Sequence, residues 1–195
     1  PDLRTEALAP HHDRSGFCCG VDSLDRYFRT QAGQDVRRKA NGVFVLVELE
    51  RPDVVLGYYA LCAAGLPHGE VPAAARRHVP RYPLAAAILV GRLAVCEARQ
   101  GQRLGAMLIA DAVRRTYASA STIGASMMVV DAINERAAAF YRRGIARIED
   151  RWAGTGNQSN RTGLASHLYA ADLDLFGPAS LFELLSQART RMGED

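Results

Sequence analysis

The stretch RLAVCEARQGQRLGAML, from Arg92 to Leu108, begins as an apolar strand and ends as a helix, with arginine, glutamine and glycine crowded at the join. Gly101 and Gly105 stand four residues apart where the strand must become a helix. Such a join has two physical uses. Glycine permits a tight turn through positive φ. A helix start also offers unpaired N–H groups and a partial positive charge to an anion that approaches the bare backbone. The spacing is not that of a dinucleotide fingerprint, and no Gly-Lys-Ser/Thr follows, so neither a Rossmann loop nor a P-loop fits. Arg103, between the glycines, complicates the anion reading.

Upstream, LAAAILVGRLAV (Leu84 to Val95) is nearly all apolar, as a central strand buried on both faces requires. Downstream, Leu104, Met107, Leu108 and Ala112 trace an amphipathic helix to about Ala118. ASMMVVDA (Ala125 to Ala132) reads as another buried strand, and Asn134 as the cap of a short helix through Ala137 to Arg142. Nearer the N-terminus, Thr5 to Leu8 reads as a short edge strand, and Val21, Leu24, Phe28 and Ala32 share one face of a helix. After a break at Asn41-Gly42, VFVLVEL (Val43 to Leu49) and VVLGYYALCAAGL (Val54 to Leu66) read as a hairpin turning at Arg51-Pro52-Asp53. Pro67, Pro72, Pro80 and Pro83 punctuate a surface connection with one helical turn at Ala73 to Arg77. Beyond Arg142 the expected order is a strand at Ala146 to Asp150, a polar loop from Arg151 to Gly163, a last strand from Leu164 to Leu173 and a helix from Pro178 to Arg189. These elements predict one mixed α/β (α+β) domain over 1–195, with an antiparallel front half followed by strand–helix–strand–helix–strand.

The 195 residues, 48% of them apolar and 23% charged, suffice for a proper core and exclude a disordered tail. No apolar run has the length of a membrane span and the start is not that of a signal peptide, which predicts a cytoplasmic protein that does not engage a membrane. Cys18, Cys19, Cys62 and Cys96 lack the paired spacing of a disulfide framework or a zinc knuckle, which suits a reducing compartment. Net charge is +3, and all but one of the 24 basic residues are arginine, Lys39 being the exception. Arginine is the better fork for phosphates and carboxylates, although GC-rich codon usage produces the same excess. The basicity permits a nucleic-acid partner without establishing one.

The order of parts resembles the GNAT superfamily of acyl-CoA-dependent N-acetyltransferases over nearly the whole chain. The pyrophosphate loop of that family reads Gln/Arg-x-x-Gly-x-Gly/Ala. Gln100, Gly101, Gln102, Arg103, Leu104 and Gly105 match it except at the fourth place, where Arg103 replaces glycine. A second family segment, Asn-x-x-Ala-x-x-Phe-Tyr, matches Asn134, Ala137, Phe140 and Tyr141 at the same offsets. FCCGVDSLDRYFRTQA (Phe17 to Ala32), GYYAL (Gly57 to Leu61), GRLAV (Gly91 to Val95) and VVDA (Val129 to Ala132) are similar to the toxin branch of the superfamily. Toxins of that branch are encoded beside a ribbon-helix-helix antitoxin and acetylate the α-amine of aminoacyl-tRNA, which stops translation. After Tyr141 the family continues Arg-x-Phe-Gly-Phe. Here RRGIARI (Arg142 to Ile148) is a residue shorter, with isoleucine after glycine.

The resemblance implies a mixed, mostly antiparallel central sheet flanked by helices, acetyl-CoA as cosubstrate and no metal. Amides from Gln100 through Gly101, Gln102, Arg103, Leu104 and Gly105 to Ala106 would hold the pyrophosphate. Leu93 and Val95 would act through their backbones, pairing with pantetheine as with an added strand and polarising the thioester carbonyl. Asn134, as well as capping a helix, would contact the pantetheine arm. Tyr141 would be the general acid that protonates the leaving thiolate; its alternative is a packing tyrosine. Arg103 either removes a glycine needed for positive φ or adds a guanidinium to a phosphate.

No dedicated base stands out, since Glu97, Asp131 and His78 sit in no distinctive constellation. An α-amine of pKa roughly 7.7 to 8.0 already has a neutral fraction near neutral pH, whereas a lysine near 10.4 needs more help. The missing base therefore favours a low-pKa amine. Arg76, Arg77 and Arg81, with Arg114, Arg115, Arg142 and Arg143, would form either a basic rim for tRNA or a solvated face. The partners expected are aminoacyl-tRNA, a ribbon-helix-helix antitoxin and a second copy in a homodimer. An acetyltransferase of a small-molecule or protein amine, and a non-catalytic acyl-CoA-binding module, remain as alternatives.

Overall fold

The computed structural model describes residues 2–77, 79–148 and 189–190. Strands β1 (Leu3–Ala7), β2 (Gly42–Glu48), β3 (Arg51–Pro67), β4 (Leu84–Val95), β5 (Met127–Ala132) and β6 (Arg189–Thr190) neighbour one another in chain order. The first four are antiparallel; β5 runs parallel to β4, and β6 parallel to β5. The helices are α1 (Asp22–Thr30), α2 (Ala32–Arg38), α3 (Ala73–Arg76), α4 (Leu104–Ile123) and α5 (Glu135–Ile148). The crossover from β4 to parallel β5 is made by α4, as a parallel pair requires.

Strand alternation sends side chains to the two faces of the sheet, where the two larger of three described core clusters lie. Val43, Val45 and Val47 of β2 pack with Phe17, Tyr27 and Phe28 against α1 and α2, whereas Leu46 joins Leu108, Ile109 and Val113 of α4 on the other face. The neighbours Tyr58 and Tyr59 divide in the same way. Tyr58 stacks on Phe28 with ring centroids 4.3 Å apart, and Tyr59 on Phe44 at 5.2 Å. Both hydroxyls are satisfied: Tyr58 donates to the Leu24 carbonyl at 2.9 Å and Tyr59 to Asp111 Oδ2 at 2.7 Å. Asp111 also holds Arg114 and Arg115, so its burial is compensated.

The hairpin between β2 and β3 turns at Leu49-Glu50 rather than at Arg51-Pro52-Asp53. Glu48 pairs with Arg51 and holds its guanidinium at 2.6 Å, while the register jumps from Glu48↔Arg51 to Val47↔Val55. Pro52, Asp53 and Val54 are thus a bulge inside β3, where a missing N–H is tolerated. The first helical segment is two helices that meet at Gln31, with Ala32 opening the second. Helix α4 extends past Ala118 to Ile123 and stops at Gly124, whose φ of +68 suits a helix terminus. Helix α5 overturns the strand expected at Ala146 to Asp150, since Ala146 to Ile148 are helical. Gly144 does not break it, because one interior glycine costs only about 1 kcal/mol. The expected loop at Arg151 to Gly163 and strand at Leu164 to Leu173 lie outside the described residues. So does most of the expected terminal helix, whose last residue, Arg189, is in β6.

At Gly57, β3, β4 and α4 approach one another closely. A Cβ there would sit 2.9 Å from both the Ala94 carbonyl oxygen and Leu108 Cδ1. Gly57→Ala is therefore expected to destabilise the fold by about 1–3 kcal/mol, the usual cost of overpacking, as a lower urea midpoint. An unchanged midpoint would show that the two strands and the helix separate freely.

Candidate active site

The sheet opens between β4 and β5. Their pairing runs only from Ala87↔Met127 to Val90↔Val130. Gly91, the next residue of β4, is left without a partner on β3, where Leu61 faces Val90 and Ala60 faces Arg92. Such a bulge bends a strand and increases its twist, here at the point where β5 is left behind. From Gly91 to Val95 the β5 side of β4 has no strand partner among the described residues, and an extended molecule can add there by main-chain hydrogen bonds. Leu93 and Val95 lie on this open edge, with their side chains against the α4 core.

The loop from β4 to α4 is anchored by a side chain. Gln100 Nε2 donates to the Cys19 carbonyl at 2.9 Å and to the Val95 carbonyl at 3.2 Å. Gly101 has φ +79 and Arg103 φ +62. The Gln100 amide is spent on the Glu97 carbonyl, and the Ala106 and Met107 amides on that of Arg103. Between them the consecutive amides of Gly101, Gln102, Arg103, Leu104 and Gly105 donate to no described residue. The two glycines serve different needs. A Cβ on Gly101 would meet nothing within 4 Å, whereas one on Gly105 would lie 2.9 Å from Phe140 Cζ. Gly101 makes the turn that bares the amides, and Gly105 lets α4 pack against α5.

Arg103 thus occupies a left-handed conformation that the family motif assigns to glycine, at a cost of roughly 1–2 kcal/mol. Arg103→Gly is expected to raise the urea midpoint by up to about 1 kcal/mol of stability, whereas Arg103→Ala should not. Equal midpoints for the two variants would show that no strain is held there.

Helix α5 brings the second motif to the same place. Asn134 Oδ1 accepts the Ala137 N–H at 2.9 Å and caps the helix. Tyr141 is 7% exposed and belongs to the buried core that also holds Leu104, at the loop's end, and Val90 and Val130, the last residues to pair across the opening. Burial pushes its phenol up to about 12, so it carries its proton at neutral pH. Its hydroxyl hydrogen-bonds to no described residue. A proton donor in an apolar wall beside an open strand edge is suited to a developing negative charge.

The arginines are not gathered there. Arg76 donates to the Val71 and Gly69 carbonyls at 2.8 and 2.9 Å, and so fastens its own turn. Arg76, Arg77 and Arg81 lie at the Leu84 end of β4, roughly 30 Å of strand from Leu93. Arg114 and Arg115 are held by Asp111 and Arg142 by Glu135, while the side chain of Arg143 lies outside the described residues. Glu97 and Asp131 are exposed, and His78 is not among the described residues. Glu6, His11 and His12 place metal-ligand atoms within 4.8 Å of one another. The Ala9 N–H donates to His12 Nδ1 at 2.9 Å, which leaves Nε2–H to donate to Glu6 Oε1 at 2.8 Å. That cluster satisfies itself. Sequence reasoning missed the Gln100 anchor and the bulge; a glycine inside an apolar strand was the available signal for the latter.

No family model matches the chain. A tRNA-acetylating toxin of Mycobacterium tuberculosis is 35% identical over 130 residues, 66% of this chain and 75% of that one. The chain belongs to the GNAT-type tRNA-acetylating toxins. A second toxin, named "Probable toxin TacT", from Sinorhizobium fredii, is 25% identical over 129 residues, 66% of this chain and 71% of its own. Among solved toxin structures, AtaT complexed with acetyl-methionyl-tRNAfMet has a TM-score of 0.67 at 29% identity, covering 73% of this chain and 85% of that one. AtaTR bound with acetyl-CoA has a TM-score of 0.63 at 29% identity, covering 73% and 84%. A tyrosine-to-phenylalanine form of AtaT bound to the C-terminus of the antitoxin AtaR has a TM-score of 0.62 at 28% identity, covering 73% and 83%. The mostly antiparallel sheet with flanking helices is the toxins' fold, as the motifs implied.

Proposed function

We propose that this toxin transfers the acetyl group of acetyl-CoA to the α-amine of an aminoacyl-tRNA and thereby stops translation. The observation that carries the reading is one opening bordered by free amides, an unpaired strand edge and a buried, protonated tyrosine. Acetyl-CoA supplies an activated thioester. The amides of Gly101 to Gly105, at the start of α4, would take its pyrophosphate, with Gln100 fixing the loop from behind. The open edge at Leu93 and Val95 would pair with the pantetheine arm and direct an N–H at the thioester carbonyl. Asn134 keeps its side-chain N–H donors for the same arm while its oxygen caps α5. As the N–C bond forms and the C–S bond breaks, Tyr141 gives its proton to the sulfur. The proton lost by the amine passes to water, since a neutral α-amine needs no dedicated base.

Arg77 and Arg81, far from the opening, are assigned to the body of a long acceptor; Arg76, also placed at this rim from the sequence, first serves its own turn. The same reading gives the toxin a ribbon-helix-helix antitoxin, a homodimeric assembly and a cytoplasmic site of action. Among the described residues no helix is long and apolar enough to cross a membrane. The test is incubation with radiolabelled acetyl-CoA and a pool of charged and uncharged tRNAs. Label is expected on charged species alone, and should leave with the amino acid on mild alkaline hydrolysis. Label on a polyamine, a small amine or a protein lysine instead would overturn the acceptor.

A further inference from the structure

We propose that Arg92 grips the phosphate nearest the aminoacyl end of the acceptor and so fixes how the tRNA terminus enters the opening. The proposal rests on the acetyl transfer to aminoacyl-tRNA proposed above. Among the residues whose burial is described, Arg14, Arg92, Arg99 and Arg115 are the arginines that are half-buried rather than exposed. Arg14 donates to the Phe28 carbonyl, Arg99 is paired with Glu48, and Arg115 with Asp111. Arg92 alone of these has no described acceptor for any of its N–H groups. A half-buried cation whose donors are unused is unfavourable in isolation, and a ligand that brings acceptors relieves it.

The guanidinium is held in place without being used up. Its Cζ lies 3.8 Å from the centroid of the Tyr27 ring, a cation–π contact that occupies one face. The platform is itself fixed: Tyr27 is buried, its hydroxyl donates to Asp35 Oδ2 at 3.0 Å, and Asn41 donates to the same oxygen at 2.7 Å. The in-plane N–H groups of Arg92 are left to bind, and a planar guanidinium matches a phosphate as a two-pronged fork.

The position selects the partner. Arg92 directly follows the bulged Gly91 on the open stretch of β4. By strand alternation it shares a face with Ala94, which is in the α1 and α2 core, while Leu93 and Val95 face the core that contains Tyr141. Arg92 and the core that holds Tyr141 therefore lie on opposite faces of the sheet at the opening. The bare amides precede α4 on the Tyr141 side, which leaves the Arg92 side to the acceptor. In an aminoacyl-tRNA the amino acid's carboxylate is esterified, so the anion nearest the amine is a phosphodiester of the terminal nucleotides. A free amino acid would instead offer its carboxylate to the same fork.

Arg92→Met keeps an apolar stem over Tyr27 and removes the charge. It is expected to retain wild-type thermal stability and acetyl-CoA affinity. Uncharged tRNA should bind on the order of tenfold more weakly, the loss of a charge-assisted contact. The slope of log affinity against log salt should become shallower by about 0.7, one single-strand phosphate contact. Arg92→Lys, which keeps the charge and loses the fork, should keep the salt slope and bind with intermediate affinity, and serves if the methionine variant does not fold. Unchanged tRNA affinity in either folded variant, or an unchanged salt slope in Arg92→Met, would overturn the role of Arg92, while labelling of charged tRNA by the wild type would still uphold the proposed function. A wild type that binds no tRNA and labels a free amino acid would overturn both.

Discussion

Tyr141→Phe is expected to lower turnover on charged tRNA by on the order of 10²-fold or more while leaving acetyl-CoA affinity and thermal stability close to wild type. The substitution removes one oxygen and keeps the ring in the core that also holds Val90, Leu104 and Val130. Because the hydroxyl bonds to no described residue, no described internal hydrogen bond is lost with it. Against a thiol of ordinary pKa near 8.5, a phenol raised to about 12 is the weaker acid. Its contribution is then greatest as charge collects on the departing sulfur, with the proton following. The pH dependence carries the same signature. Tyr141 stays protonated to well above pH 10, so wild-type turnover should climb as the amine loses its proton and show no descending limb near pH 8 to 9. The variant should keep the climbing limb at a reduced rate.

Folding follows the same sign. A phenol raised in the folded state holds its proton more firmly than in the unfolded chain, so the stability is fully present below about pH 10 and is lost as pH rises through the folded value. Tyr27, also raised to about 12, and Tyr58 and Tyr59, raised further, act in the same direction. The urea midpoint should therefore hold to about pH 10 and then fall. Wild-type turnover in a folded Tyr141→Phe protein would reduce the residue to packing.

What the sequence revealed is local. The apolar run from Leu84 to Val95 is a strand with those bounds, and Asn134 caps the helix it was expected to cap, because burial on both faces and cap chemistry are written within a few residues. The end of α4, Ser119-Ala120-Ser121-Thr122, is small and polar and carries no apolar periodicity, so its last turn was not legible. The bulge at Gly91 depends on how β3 and β5 register against β4, which no single strand encodes. Gly105 reads in the sequence either as an anion-binding glycine or as half of a helix-packing pair, and its neighbour Phe140, a contact made only when α5 folds back, shows the packing. The placing of the arginines was hidden for the same reason. A run of charges on the page does not show that Arg76 is committed to the carbonyls of its own turn, or that Arg92, inside an apolar strand, has uncommitted donors.

Gly101→Asp is expected to abolish most of the stabilisation that acetyl-CoA confers, and Gly101→Asn to keep it. Position 101 separates charge from packing because a Cβ there meets nothing within 4 Å. Its φ of +79 strains both substitutions alike, and aspartate and asparagine are among the residues that best tolerate left-handed backbone. The variants then differ by one negative charge set among the bare amides of Gly101 to Gly105. Two unit charges a few ångströms apart at a protein surface repel by about 1–4 kcal/mol, enough to weaken binding of a pyrophosphate by roughly 10²-fold. At a ligand concentration of 100 Kd the wild type gains about 2.7 kcal/mol; after a 100-fold loss of affinity the same concentration gives only about 0.4 kcal/mol. The shift in Tm on adding acetyl-CoA should accordingly be large for wild type and Gly101→Asn and nearly absent for Gly101→Asp. Gly105→Asp cannot make this distinction, since its Cβ would push on Phe140 Cζ at 2.9 Å and disturb the contact between α4 and α5. Equal shifts for Gly101→Asp and Gly101→Asn would mean that the pyrophosphate does not lie on these amides, and the anion site would have to be sought elsewhere along the opening.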